Sequence, residues 1–167
     1  MKRAAFLFLM VTVASLYGCA TAPVKPIEYV PDASLQQEIE VPGMNKNDIF
    51  NKSRQWYALT FKSSKQAIEY EDPTTGRIIA KGADTVVYQI NMPFGGNQSF
   101  PQPVGFTIIQ DIKDGKTKLQ FSNIGLLTYN GGNYSNIDTT AWQQLEPRLA
   151  KHAADLKAFL LTADKGW

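Results

Sequence analysis

The sequence is poor in the residues from which most catalytic and metal sites are built. Its 167 residues include one cysteine, Cys19, and one histidine, His152. A single histidine excludes metal sites built from several imidazoles. A serine–histidine–acid arrangement would have to use His152, and no Gly-x-Ser-x-Gly nucleophile motif accompanies it. No catalytic constellation is visible, so we expect neither enzymatic activity nor a cofactor nor a bound metal.

The chain also lacks an excess of charge of either sign. It has 17 Lys and Arg against 15 Asp and Glu. Lys2 and Arg3 lie in a segment that we expect to be removed, which leaves 15 basic residues against the 15 acidic ones. A neutral chain has no basic surface for a phosphate backbone, so we expect no nucleic-acid partner. The hydrophobic fraction of 44% is sufficient for a core, and the length suits one domain.

Two glycine pairs and one acidic cluster are the other candidates for ligand binding. The pairs at 95–96 and 131–132 lack the lysine and the helix start of a phosphate-binding loop, so we interpret them as turn residues. Glu69, Glu71 and Asp72 could supply oxygen ligands to a cation such as calcium. Glu69 and Glu71 point outward from a predicted strand, however, and this alternation favours a solvated strand edge.

The first nineteen residues have the features of an export signal. Lys2 and Arg3 give a positive start, and residues 4–14 form an apolar run of signal-peptide length. A membrane span needs about 20 apolar residues, so this run is too short for a permanent anchor. The segment Leu16-Tyr17-Gly18-Cys19 resembles the lipobox of bacterial lipoproteins, in which a peptidase cuts before a cysteine whose thiol has been diacylated.

This resemblance implies that residues 1–18 are a signal peptide and that Cys19 becomes a lipidated N-terminus. Several acyl chains would hold the protein at a membrane. Ala20 follows the cysteine, whereas lipoproteins kept in the inner membrane commonly carry Asp there. We therefore expect a cell-envelope lipoprotein, anchored in the outer membrane and facing the periplasm. The alternative is a lone buried cysteine, which the order of basic start, apolar run and cysteine disfavours.

Residues 19–33 are interpreted as the lipidated cysteine followed by a proline-rich tether. Three prolines are spaced through this segment, and it has neither a helical nor a strand period. Proline-rich segments favour an extended conformation, so we expect a spacer ahead of a single domain at 34–167. The alternative is that the apolar residues of the segment dock on the domain; these are Val24, Ile27 and Tyr29.

The domain shows the order strand, helix, four strands, helix. A short strand at 35–41 precedes a helix at 46–60 that Asn45 caps. Gly82 lies within a long predicted strand and is interpreted as a bulge or bend. The Asp-Gly turn at 114–115 predicts a hairpin between the last two strands. The four later strands are predicted at 68–71, 77–92, 104–112 and 116–124.

The final helical face is interrupted by Pro147. Either the helix kinks there, or a short first helix ends and Pro147 opens a second one. His152 lies between Leu149 and Leu156 on this face, so we expect a core or boundary histidine satisfied by a hydrogen bond. The face comprises Trp142, Leu145, Leu149, His152, Leu156 and Leu160.

Turn motifs and core aromatics of the domain resemble those of one family. They are Val41-Pro42-Gly43 ahead of a helix with Trp56, the turn from Tyr70-Glu71-Asp72 to Gly76-Arg77-Ile78, and Lys113-Asp114-Gly115-Lys116 leading to Phe121-Ser122-Asn123. Over about residues 35–163 the chain is similar to the bacterial domain-of-unknown-function family 4468, described as TBP-like. The resemblance implies an α+β fold with a curved antiparallel sheet and both helices on one face. It implies no activity, and its shape comparison implies no DNA binding.

The proline- and glycine-rich segment 93–103 is predicted as a loop and is the strongest candidate binding site. It carries Phe94 and Phe100 among prolines that lower the entropy lost on binding. The two rings would anchor an envelope protein partner; the competing interpretation is that both fold back over the sheet edge. We expect a non-catalytic binding domain that uses this loop or the open sheet face. The alternative function is a periplasmic hydrolase or small-ligand-binding protein with a pocket under the loop.

Overall fold

The computed structural model describes residues 26–61, 67–92, 95–127 and 134–162. The predicted signal peptide, Cys19 and Phe94 lie outside the described residues. The elements are β1 (Leu35–Glu40), α1 (Lys46–Thr60), β2 (Ile68–Asp72), β3 (Arg77–Asn91), β4 (Asn97–Lys113), β5 (Lys116–Leu127), β6 (Tyr134–Ser135) and α2 (Thr139–Leu161).

The strands form one antiparallel sheet in the order β2-β3-β4-β5-β1. The short β6 pairs with the far end of β5, beyond the end of β1. Both helices contact the sheet and each other, and the core lies between them and the sheet. The predicted α+β class and element order are confirmed, with β6 as an addition. Within the described residues, neither helix combines the length and apolar character needed to cross a membrane.

Helix α1 begins and ends where the sequence pattern predicts. The Asn45 side chain accepts a hydrogen bond from the Asp48 amide at 2.9 Å and donates one to the Asp48 carboxylate at 2.8 Å. This reciprocal pair satisfies a free amide of the first turn and places a negative charge at the positive end of the helix. The buried face of the helix consists of Ile49, Phe50, Ser53, Trp56 and Tyr57.

Helix α2 continues through Pro147 as one helix. Asp138 caps it by accepting a hydrogen bond from the Ala141 amide at 2.8 Å. Proline lacks the N–H that would bond the carbonyl four residues earlier, on Gln143. Both Pro147 and Gln143 are exposed, so water can satisfy that carbonyl, and the helix tolerates the proline without dividing in two.

The prediction of a loop over 93–103 was wrong for its larger part, because β4 begins at Asn97. Residues 97–103 pair with residues 85–91 of β3, and we call this two-stranded extension the ribbon. The N–H and the C=O of Val87 both bond the side chain of Gln144 on α2, and they therefore point away from β4. Pro101, opposite Val87, therefore occupies a non-hydrogen-bonded pair, where a missing N–H removes no bond to β3.

Gly82 is not at a bulge. The register between β3 and β4 is continuous from Arg77 to Asn91, and Gly82 lies directly opposite Phe106. A Cβ at position 82 would collide with the Phe106 ring, so the glycine is required for close approach. The register shifts of the sheet lie elsewhere, between Ile68 and Tyr70 of β2 and between Gly105 and Thr107 of β4.

His152 is half-buried in an aromatic cluster between the two helices and the sheet. Its ring centre lies 5.6 Å from that of Phe61, 6.4 Å from that of Trp56 and 6.5 Å from that of Phe106. The boundary position is as predicted, but the expected hydrogen bond is not: Nδ1 is buried and bonds no other described residue. Burial lowers the pKa of His152, because the surrounding rings disfavour the charged form.

The last part of the predicted tether docks on the domain. The amide of Val30 donates to the carbonyl of Ile137, and the amide of Thr139 donates to the carbonyl of Glu28, each at 2.9 Å. Ala33 is buried. These contacts fix the entry of the chain beside the start of α2, so residues 28–33 belong to the folded domain rather than to a spacer.

Candidate functional site

Charge is confined to one end of the sheet. Residues 85–110 and 119–137 contain no Asp, Glu, Lys, Arg or His. The first stretch includes the ribbon, and the second includes the adjoining end of β5 and all of β6. Together they form an uncharged end in a chain in which 19% of residues are charged. This pattern is visible in the sequence, and it is the signal that motif analysis missed.

The opposite end of the open sheet face carries ion pairs. Arg77 Nε lies 2.7 Å from Asp111 Oδ1, and Lys116 Nζ lies 2.5 Å from Glu38 Oε1. The hydrogen bond and charge of Lys116 lower the pKa of the exposed Glu38 carboxyl. Exposed pairs of this kind add little to stability. This end of the open face, one of the two predicted binding surfaces, is therefore polar and internally paired.

The acidic cluster of β2 does not converge on a common point. Glu69 pairs with Lys81 at 2.6 Å, and Glu71 pairs with Arg54 of α1 at 2.7 Å. Asp72 accepts hydrogen bonds within its turn, chiefly from the Thr75 hydroxyl, and these bonds lower its pKa. Across the described ranges, no three His, Cys, Asp or Glu side chains group closely enough to hold a metal ion.

The ribbon has one apolar face and one polar face. Phe100 lies opposite Tyr88, and Ile90 follows two residues later on the same face. The opposite face carries Gln89 and Ser99, whose side chains are joined by a 3.1 Å hydrogen bond. Ile90 is 47% exposed and Phe100 is 38% exposed, so both present apolar surface to solvent.

The apolar face of the ribbon continues onto the entering N-terminal segment. An open groove of about 510 Å³ joins them, lined by Ile27, Tyr29, Tyr88, Leu126, Asn136 and Asp138. Ile27 is 66% exposed and Tyr29 is 53% exposed. We name this surface the apolar patch and define it as Ile27, Tyr29, Tyr88, Ile90, Phe100 and Leu126.

Tyr88 is the fixed centre of the apolar patch. Its hydroxyl donates a 2.8 Å hydrogen bond to Asp138 Oδ2, while Asp138 Oδ1 accepts the Ala141 amide at the start of α2. Burial, reinforced by the bond to Asp138, raises the pKa of Tyr88, so its hydroxyl is neutral at physiological pH. Both carboxylate oxygens of Asp138 are thus hydrogen-bonded within the domain, although the carboxylate itself lines the groove.

Of the sequence-predicted site residues, the structure places Phe100 in the apolar patch. Phe94 and Cys19 lie outside the described residues. Ile27 and Tyr29, considered only for docking, contribute to the patch instead. An open groove of about 710 Å³ runs between α1 and β2. No described residue of segment 93–103 lines this groove. The alternative of a ligand pocket under that segment stays a prediction.

Comparison with known proteins places this architecture among solved structures. A DUF4468 family protein from Bacteroides ovatus matches 84% of this chain and 94% of its own, with a TM-score of 0.60 and 14% identity. A TBP-like protein from Parabacteroides distasonis matches 80% of this chain and 95% of its own, with a TM-score of 0.53 and 12% identity. These identities support the shared fold and nothing finer. The comparison with curated proteins gives no match.

The family model described as a domain of unknown function with TBP-like fold matches residues 36–126. That range runs from β1 through the β4–β5 hairpin, and so includes the ribbon and every strand of the sheet except β6. The predicted TBP-like fold is confirmed, and the chain belongs to the DUF4468 family.

Proposed function

We propose that this chain is a cell-envelope lipoprotein held at the outer membrane through Cys19, and that its domain is a non-catalytic binding domain. Its binding surface is the apolar patch. One observation carries the proposal: an uncharged, aromatic, solvent-exposed surface lies at the end of the sheet where the chain from Cys19 enters the domain.

The composition of the patch supports binding. Cores of protein interfaces are depleted of charge and enriched in aromatic residues and Met. Tyr29, Tyr88 and Phe100 supply rings, and Ile27 and Ile90 supply exposed aliphatic surface. The hydrogen bond from Tyr88 to Asp138 holds the central ring in place, so less side-chain entropy is lost when a partner binds.

The position of His152 supports a role other than catalysis. It is the single histidine of the chain, and its Nδ1 is buried among the rings of Trp56, Phe61 and Phe106. A general base must reach the proton that it removes, and the buried Nδ1 does not face solvent. The histidine instead contributes to packing between α1, α2 and β4.

Site-specific photo-crosslinking in intact envelopes tests the proposed surface. A benzophenone amino acid replaces Phe100 in the patch or, as the matched control, Leu59 on α1, which is 73% exposed. We expect a discrete adduct from position 100 that position 59 does not give. Identical adduct patterns from both positions would contradict the assignment of the patch as the binding surface.

A further inference from the structure

We propose that the apolar patch lies directly on the lipid surface into which Cys19 is anchored, so that the domain binds the bilayer through its uncharged end. This inference rests on the proposed lipidation of Cys19. It identifies the envelope component that the patch contacts as lipid. The remainder of the domain, including the ion-paired end of the sheet, then faces away from the membrane.

The length of the tether favours this occupant. Ile27, the first residue of the patch, follows Cys19 by eight residues. Eight residues span at most about 28 Å when fully extended, and about 16 Å as a flexible coil. The docking of Glu28 and Val30 beside α2 prevents further extension, because their backbones are bonded to Thr139 and Ile137. The patch is therefore held within a few nanometres of the bilayer at a high effective concentration.

The chemistry of the patch suits the interfacial region of a bilayer. Tyrosine rings lie at membrane interfaces because they combine an apolar body with a polar tip. Tyr29 and Tyr88 provide such rings beside Ile27, Ile90 and Phe100. Residues 85–110 contain no lysine or arginine, so no basic side chain of the ribbon would lose its hydration at the membrane. The polar face of the ribbon points to the other side and can stay in water.

The same absence of charge specifies how the patch binds lipid. Electrostatic docking relies on basic side chains, depends on anionic lipid and weakens with salt. The six patch residues are uncharged, and the charged groups beside them, Glu28 and Asp138, are acidic rather than basic. Binding should therefore not require anionic lipid, and it should persist in high salt.

Fluorescence of a single new tryptophan tests this geometry. The full lipidated chain with Phe100→Trp is reconstituted into phosphatidylethanolamine–phosphatidylglycerol vesicles, with or without bromine on the acyl chains. Leu59→Trp is the matched control on α1, and the unsubstituted lipidated chain corrects for the native tryptophans. Because Phe100→Trp keeps an aromatic ring at a partly exposed site, we expect the fold to be retained, and a thermal melt checks it.

We expect brominated lipid to reduce the emission of Trp at position 100 by at least about half, with little effect at position 59 and no dependence on salt. Equal, weak quenching at both positions in a chain that is lipidated overturns the lipid contact while leaving the lipoprotein proposal intact. A protein adduct from position 100 in envelopes, combined with absent quenching, assigns the patch to a protein partner instead. A mature chain without lipid at Cys19 overturns both proposals.

Discussion

The side-chain amide of Gln144 on α2 forms two hydrogen bonds with the backbone of Val87 on β3. Gln144 Oε1 accepts from the Val87 amide and Gln144 Nε2 donates to the Val87 carbonyl, each at 3.0 Å. A neighbouring strand would make the same two bonds. The described part of β2 pairs with β3 only as far as Ala80, so a helix side chain here satisfies the edge of β3.

Gln144→Ala should lower the free energy of unfolding by about 1 to 3 kcal/mol, because it leaves two partly buried backbone groups without their partners. Gln143→Ala is the matched control. It makes the same change in helix propensity on an exposed neighbour, and we expect an effect within about 0.5 kcal/mol. Urea unfolding of both variants measures the difference, and equal effects would show that the Val87 bonds do not stabilise the ribbon.

Gly82→Ala should lower stability by about 1 to 3 kcal/mol, because the added Cβ would collide with the ring of Phe106. Phe106→Leu removes the colliding ring atoms. The double variant should therefore lose less stability than the sum of the two single variants. Chemical denaturation of the four proteins completes the cycle. Strict additivity would refute the collision as the cause.

Trp56→Ala should lower stability by about 3 to 5 kcal/mol, the usual range for a buried large aromatic. Trp56 is 4% exposed and packs against Tyr57 and Phe61, with ring centres 5.1 and 5.7 Å apart. Leu59→Ala, on the exposed side of the same helix, should change stability by no more than about 0.5 kcal/mol. Thermal melts of the two variants with similar midpoints would contradict the burial of this face.

Stability should fall as the pH drops below the ordinary His152 pKa of 6.5. Burial lowers the pKa of the folded chain, so the unfolded chain binds a proton first as the solution is acidified. The stability that the neutral His152 ring contributes is fully present above about pH 6.5. It is lost as the pH falls toward the lower pKa of His152 in the folded chain. The nearby carboxylates of Asp84 and Asp155 oppose this shift, Lys151 supports it, and burial outweighs them.

Two measurements check the histidine prediction. Because His152 is the single histidine, one imidazole NMR signal reports its titration, and we expect a midpoint below 6.5. Melting midpoints between about pH 7.5 and 5.5 should decline more steeply for the natural chain than for His152→Leu. Parallel declines in the two proteins would assign the pH dependence to other groups.

Cys19→Ser should abolish incorporation of labelled fatty acid, since serine cannot form the thioether through which the lipid is attached. The variant should also be mislocalised, because it lacks the lipid anchor. Gel autoradiography after growth with radioactive palmitate measures incorporation, and total protein serves as the loading control. Equal label in the natural and serine chains would refute the lipoprotein assignment.

Local patterns predicted the helices and most of the sheet, because those elements depend on local chemistry. Asn45 with Asp48 specifies the start of α1, and the Asp-Gly turn specifies the β4–β5 hairpin. The start of β4 was missed because Pro101 and Pro103 are typical of loops. They are accepted here only because cross-strand register puts them opposite residues whose backbones bond α2, and register is not a local property.

The candidate site was predicted in part. Phe100 was chosen as an exposed aromatic, which it is, but the residues that complete the patch come from segments distant in the sequence. Tyr29 and Tyr88 come together only because the N-terminal segment pairs beside Asp138. The predicted bulge at Gly82 was wrong for a related reason: its partner Phe106 lies on the neighbouring strand, and no local sequence pattern identifies that contact.

The two ribbon prolines have a consequence for self-association. Pro101 and Pro103 lie opposite Val87 and Thr85, whose backbones point away from β4, so the missing donors lie on the side of β4 away from β3, where the described part of β5 pairs only as far as Val104. An uncharged, aromatic strand edge is a template for edge-to-edge aggregation, and proline is one of the devices that prevent it. Chains concentrated side by side would otherwise join their ribbons into continuous sheets. The prolines allow this surface to stay apolar while they hinder strand pairing between copies of the chain.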